Sequence, residues 1–288
     1  MCFSTQIQQN ESKDLKDLDI FQEVVKVRQE GTPAAMATII QTKGSTPGKV
    51  QSRMLIKLDG TFIGTVGGGC VESEVWESAK EVILTDKPKL VSFLLNDDDI
   101  ESGLICGGKV EIFIEPITKP NLFIFGGGHV GLCIYKLAKM IDFNVFVIDD
   151  RENFANKERF PEAEETYSES FKTVFDKLPI NENSYLIVVT RGHKFDETAL
   201  YGCCKTNAKY IGMIGSRKKI KTIFENLKEK GISETVLKKV HAPIGLDIGA
   251  QSVEEISVSI SAELIKIRRK HFLKDKAKDG QETSEALL

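Results

Sequence analysis

Apolar residues in the first part of the chain change their period three times. Over 15–30, LKDLDIFQEVVKVRQE, Leu15, Leu18, Phe21, Val24, Val25 and Val27 recur at helical spacing before Gly31-Thr32-Pro33. An amphipathic opening helix is predicted. The pieces AAMATIIQT, SRMLIKL and TFIGTV then read as short strands separated by the turn signals GSTPGK and DG, which predicts a small antiparallel sheet. After Gly67-Gly68-Gly69 the helical period returns in CVESEVWESAKEVILTD, with Val71, Val75, Ala79 and Val82 on one face; KLVSFLL and KVEIFIEP supply two more strands. Residues 1–118 are thus expected to form a smaller α+β domain. Pro116 and Pro120, which bracket ITK, mark the joint.

From Asn121 the character changes. Apolar runs in NLFIFGGG, NVFVIDD, SYLIVVT and YIGMIG alternate with helical stretches, the pattern of a parallel sheet with helices on its faces. The expected fold class is therefore α/β: a Rossmann-like parallel-sheet domain over 119–272, preceded by the α+β domain. Its last helix, 252–270, turns Val253, Ile256, Ile260, Leu264 and Ile267 inward, and the polar tail 273–288 is expected to be disordered. No internal repeat is visible.

Composition narrows the function classes. The 288 residues are 41% hydrophobic and 28% charged, with a net charge of -3. Two ordinary cores fit in such a chain, and no field draws it to nucleic acid or an anionic membrane. There is no apolar run long enough to span a bilayer and no basic-then-apolar leader, so a cytoplasmic protein is expected. Cys2, Cys70, Cys106, Cys133, Cys203 and Cys204 include no Cys-x-x-Cys pair, and His129, His193, His241 and His271 form no His-Glu-x-x-His motif. Free thiols are expected and a zinc hydrolase is not.

The sharpest chemical feature is FIFGGGHVGLCIYKLAKMIDFNVFVIDDR. A strand runs into Gly126, Gly128 and Gly131 at dinucleotide-binding spacing, a helix follows, and a second strand ends at Asp149 and Asp150. Gly126 permits the tight turn, Gly128 lets the backbone approach a pyrophosphate, and Gly131 lets the helix pack on the sheet. The helix N-terminus favours the anion, and Asp149 is placed to accept ribose hydroxyls. The two aspartates are expected to disfavour a 2′-phosphate, an effect that Arg151 opposes. His129 falls in the first helical turn, beside the mouth. Two further motifs, TRGHKFD after LIVVT and IGSRKK after YIGMI, put Arg191, His193, Ser216 and Arg217 at carboxyl ends of strands, where open α/β sheets bind ligands. Lys218 and Lys219 read as a solvated helix face.

In the first domain, Cys70 opens a helix directly after three glycines, a setting that favours a thiolate and lets a ligand approach. Cys106, in GLICGGKVEIFIEP, also lies beside glycines. A small packing role is the alternative for Cys70, and buried structural sulfur is the expectation for Cys133, Cys203 and Cys204.

These stretches resemble the xanthine dehydrogenase accessory factor (XdhC/CoxI) family. GSTPGK, GGGCVESEV, CGGKVEIFIEP, FGGGHVG with VIDDR, TRGHKFD, YIGMIGSRKK and HAPIGLDIGAQSVEEISVSISAELI carry the likeness over nearly the whole chain. The strand ending Asp149-Asp150-Arg151 departs from relatives that often have proline in its middle. The resemblance implies a non-catalytic or only loosely catalytic role, that of a maturation factor. Such a factor binds molybdenum cofactor (molybdopterin), keeps it while a cysteine desulfurase supplies the sulfido ligand, and passes it to an apo molybdenum hydroxylase like xanthine dehydrogenase. Cys70 and Cys106 coincide with cysteines of the family pattern, as candidate sulfur carriers or molybdenum-ligand thiols. For these to serve one cofactor together with the glycine turn, their pocket must face the carboxyl edge of the parallel sheet. The alternatives are an NAD-dependent oxidoreductase with His193 as proton donor, or a nucleotide-sensing module. A homodimer is the expected assembly.

Overall fold

The computed structural model describes residues 19–95, 108–117 and 119–269. The first described element, α1 (Ile20–Glu30), starts under Asp19, whose carboxylate accepts the Phe21 N–H at 3.0 Å, and stops at Gly31 with φ 68°. Its inward stripe is Ile20, Val24 and Val27. Phe21 and Val25 belong to the predicted apolar set but are exposed, because they lie about 100° further round the helix. Phe21 instead receives the Arg53 guanidinium over its ring. Leu15 and Leu18 lie outside the described residues.

The first sheet contains β1 (Ala34–Lys43), β2 (Arg53–Lys57), β3 (Phe62–Gly64), β4 (Lys89–Leu95) and β5 (Gly108–Pro116), all antiparallel in the order β3-β2-β1-β5-β4. Between β3 and β4 runs α2 (Gly69–Thr85). It lays Val71, Val75, Ala79 and Val82 on the sheet, the four positions picked out by their period.

The second sheet contains β6 (Asn121–Phe125), β7 (Asn144–Asp149), β8 (Glu165–Ser168), β9 (Tyr185–Val188), β10 (Tyr210–Met213) and β11 (Val240–His241). All its pairs are parallel, in the order β11-β10-β9-β6-β7-β8. Strands β6, β7, β9 and β10 are buried throughout, which is why they read as unbroken apolar runs. Helices α3 (His129–Met140) and α7 (Val253–Arg268) pack together on one face. The other face carries α4 (His193–Cys203), α5 (Arg217–Glu229) and the short α6 (Glu234–Leu237). The chain runs outward from β6 to β8, then returns to β9 on the other side of β6. The direction of winding thus reverses between β6 and β9, the place where such sheets hold ligands.

Three asparagines join the halves. Asn144 Nδ2 donates to the carbonyls of Arg28 (2.8 Å) and Gln29 (3.1 Å), Asn121 Nδ2 to Glu30 (3.1 Å) and Asn181 Nδ2 to Gly31 (3.2 Å). Last-turn carbonyls of a helix have no partner within it; here the amino-terminal edge of the parallel sheet supplies them. Arg269 pairs with Asp86, at the end of α2, across the same seam.

Candidate functional site

The glycine turn has the predicted geometry. Gly126 has φ 120°, and a Cβ there would lie 2.4 Å from the Val189 carbonyl oxygen. The turn after β6 is thereby pressed against the end of β9. At Gly131 a Cβ would lie 2.0 Å from the Gly126 carbonyl oxygen, the close helix-to-strand approach expected of this position. Gly128 differs: its φ is -69° and a Cβ there would meet nothing within 4 Å, nor would one at Gly192. These two residues cap α3 and α4 without a side-chain hydrogen bond, and His129 and His193, the first residues of the two helices, are exposed. An open space flanked by two uncapped helix starts suits an anion.

The acidic side of the mouth is filled. Asp149 is buried; its Oδ2 accepts the Gly127 N–H at 2.9 Å and Arg151 Nη2 at 3.0 Å, and its Oδ1 accepts Arg151 Nε at 2.8 Å. Burial favours the neutral acid, but the Arg151 guanidinium and the Gly127 amide hold the carboxyl below the usual carboxylate range. Arg151 also lies 3.6 Å over the Phe154 ring, and a Cβ on Gly127 would sit 1.8 Å from the Phe154 carbonyl oxygen. The segment after β7 therefore folds onto the glycine turn. A ribose on Asp149 would have to share or displace Arg151. Asp150 is likewise taken by Arg191 in a two-bond pair at 2.9 and 2.8 Å, with Arg191 stacked on Phe195. The expected repulsion of a 2′-phosphate has little basis here, because each aspartate is matched by an arginine.

The winding reversal thus gathers Gly126, Gly128, His129, Gly131, Asp149, Arg151, Arg191 and His193 at one edge. Ser216 and Arg217 sit one strand further along: the Ser216 side chain caps α5 by accepting the Lys219 N–H, and Arg217 is exposed. Lys218 is solvated as expected, but Lys219 is not. Its side chain is only 16% exposed and pairs with Asp196, which is wholly buried and also accepts the Thr190 hydroxyl at 2.8 Å. Asp196 escaped sequence reasoning because an acid in a first helical turn ordinarily faces solvent. The HAPIGLDIG stretch is fastened by a second buried acid, Glu263, which lies 2.5 Å from His241 Nδ1 and accepts the Gly245 N–H.

Cys70 is the second residue of α2, after Gly67, Gly68 and Gly69 with φ of 123°, 81° and 62°. One oxygen of Glu72 accepts the Thr65 hydroxyl (2.5 Å), the Gly68 N–H (3.0 Å) and the Val66 N–H (3.3 Å), which fixes this turn. Cys106 lies outside the described residues. Two residues beyond it, a Cβ on Gly108 would lie 2.3 Å from the Ser45 carbonyl oxygen, while one on Gly67 would lie 3.0 Å from Pro47 Cγ. The GSTPGK turn is therefore wedged between the glycines before Cys70 and the start of β5.

This end of the first sheet lies at the opposite end of α2 from the seam, whereas the sequence expectation requires it to face the carboxyl edge of the second. The far end of α2 meets the seam, about 25 Å from Cys70 along the helix. The seam lies at the amino edge of the parallel sheet, and β6 adds about 17 Å before the glycine turn. The path from Cys70 through the seam to the glycine turn is thus about 40 Å. Cys203 and Cys204 are buried, and burial pushes the Cys204 thiol up to about 11 and raises Cys203 as well, so neither is a thiolate. Cys133 is only half-buried. Among the described residues no group of His, Cys, Asp and Glu could hold a metal, and no helix is long and apolar enough to cross a membrane.

Residues 27–94 match the family described as "XdhC and CoxI family", and residues 122–264 match "XdhC Rossmann domain". The uncharacterized protein YqeB of Escherichia coli (strain K12) is 32% identical over 87% of this chain; the match covers 46% of YqeB, so the chain spans about half of that relative. A probable xanthine dehydrogenase subunit of Bacillus subtilis (strain 168) is 22% identical over 82% of this chain and 94% of its own length. The molybdenum cofactor insertion chaperone PaoD of Escherichia coli (strain K12) is 21% identical over 85% of this chain and 86% of its own.

Proposed function

Because the chain belongs to the XdhC and CoxI family, we propose that it is an accessory factor for a molybdenum hydroxylase of the xanthine-dehydrogenase type. It binds molybdenum cofactor, holds it while a cysteine desulfurase supplies the sulfido ligand, and delivers it to the apo-enzyme. What carries this is the state of the mouth: the phosphate side at Gly128 is open, whereas the ribose side at Asp149 is occupied by Arg151. A ligand that brings a phosphate without needing an adenosine ribose suits such a mouth better than NAD does.

In this role the first-turn amides of α3 hold the phosphate, with His129, Arg191, His193 and Arg217 along the rim, and Cys70 and Cys106 are the soft thiols that meet molybdenum or sulfur. Within one chain the seam separates the thiol end from the mouth, and serving one cofactor requires the two to meet. A homodimer in which each mouth faces the partner's thiol end meets that requirement.

Calorimetric titration of the apo-protein, with molybdenum cofactor and separately with NAD, tests the assignment. The expected result is saturable cofactor binding that falls about tenfold or more in Gly128→Val, a substitution that the local φ and open space allow. NAD should give no comparable heat. Tighter binding of NAD than of cofactor, or an undiminished Gly128→Val, would overturn it.

A further inference from the structure

The seam between the halves holds a cavity open to solvent, on the opposite edge of the parallel sheet from the glycine turn. It has a volume of about 110 Å³ and is lined by Asp86, Asp142, Asn183, Lys209, Arg268 and Arg269, with Ile83 and Pro120. Helices α2, α3 and α7 all end here, and the negative partial charge of their carbonyl ends offsets part of the positive charge. Arg268 Nη1 donates to the Ile141 carbonyl at the end of α3, and Arg269 pairs with Asp86. Asp142 is balanced by Lys119 at 3.2 Å and Arg28 at 3.5 Å.

Three features are left over once these pairs are set aside. Among the described residues Lys209 has no carboxylate within ion-pair distance, although its backbone N–H is bonded to Ser184. Arg268 Nε and Asn183 Nδ2 are sealed from solvent and have no acceptor. Behind them Tyr185 is wholly buried with an unpartnered hydroxyl, close enough to Arg268, Arg269 and Asp86 for their charges to act on it. Burial and the neighbouring Arg269 charge both hold the Arg268 guanidinium below its ordinary value. The unmatched groups are donors and cations, so their missing partner is an acceptor with negative charge.

We infer that this cavity binds one small tetrahedral oxyanion of the phosphate or sulfate class, held by Lys209, Arg268 Nε and Asn183 Nδ2. The space takes several waters and so admits the free ion. Bound there, the anion lies between the end of α2 and the base of the parallel sheet, so it stabilises the junction of the two halves. None of this depends on which cofactor the glycine turn receives.

Thermal unfolding of the full chain in phosphate, against chloride at equal ionic strength, provides the test. Phosphate should give a saturable rise of about 3 °C over chloride. The rise should persist in Gly128→Val, which blocks the phosphate side of the mouth, and should be lost when either Lys209→Met or Asn183→Ala is added to that variant. In Gly128→Val, AMP should give no rise. The site is overturned if phosphate protects no more than chloride, if both seam variants keep the rise, or if Gly128→Val abolishes it; equal protection by AMP overturns the assignment to the free ion.

Discussion

At the scale of single residues, the glycines of one motif are required for different reasons. Gly126 and Gly131 are fixed by what a methyl group would strike, and Gly128 is fixed only by what must come near it. The same distinction separates Asp149 from a ribose acceptor: its carboxylate already ties the end of β7 to the glycine turn. That tie makes a pH prediction with a definite sign. Because the folded-state pKa is lowered, Asp149 contributes stability above the ordinary carboxylate value of about 3.9, and this is lost as pH falls through the lower folded value. Urea unfolding of Asp149→Asn should show lower stability than wild type near neutral pH and a shallower decline below pH ~4. Parallel acid limbs in the two proteins would refute this.

At the scale of elements, α4 and α5 are joined by the Asp196–Lys219 pair beneath their solvated faces. Removing one partner leaves the other charge buried, so Lys219→Met should cost roughly 3–5 kcal/mol in urea unfolding. Adding Asp196→Leu to it should recover most of that loss, since an apolar pair strands no charge. A double variant no more stable than the single would show that the pair acts through something other than charge. This contact also marks the limit of what could be read in advance. The stripe on α2 and the buried strands β6, β7, β9 and β10 were legible because burial imposes a period or an unbroken run. Strands β8 and β11, with sequences ETYS and VH, are too short and too polar to have either. The inward turn of Lys219 depends on Asp196, which is close only in space. Asp149, Asp150, Arg151 and Arg191 were each named from the sequence, but the pairing of the two aspartates with the two arginines was not, because side-chain pairing leaves no periodic trace.

At the scale of the whole molecule, the asparagines of the seam set the orientation that matters most. By capping α1 from the amino edge of the parallel sheet, they put the seam between the Cys70 end of the first half and the mouth of the second. With the homodimer proposed above, each working centre is then assembled from complementary parts of two chains. Genetics should register this directly. A chain carrying Gly128→Val and a chain carrying Cys70→Ser are each inactive in delivering cofactor, yet an equimolar mixture assembled at random regains about a quarter of wild-type delivery, since half the dimers are mixed and each of these has one intact centre. A mixture as inactive as its components would exclude shared centres. Two defective alleles in one cell would then complement each other, and damage to one copy would be felt as a loss in its neighbour.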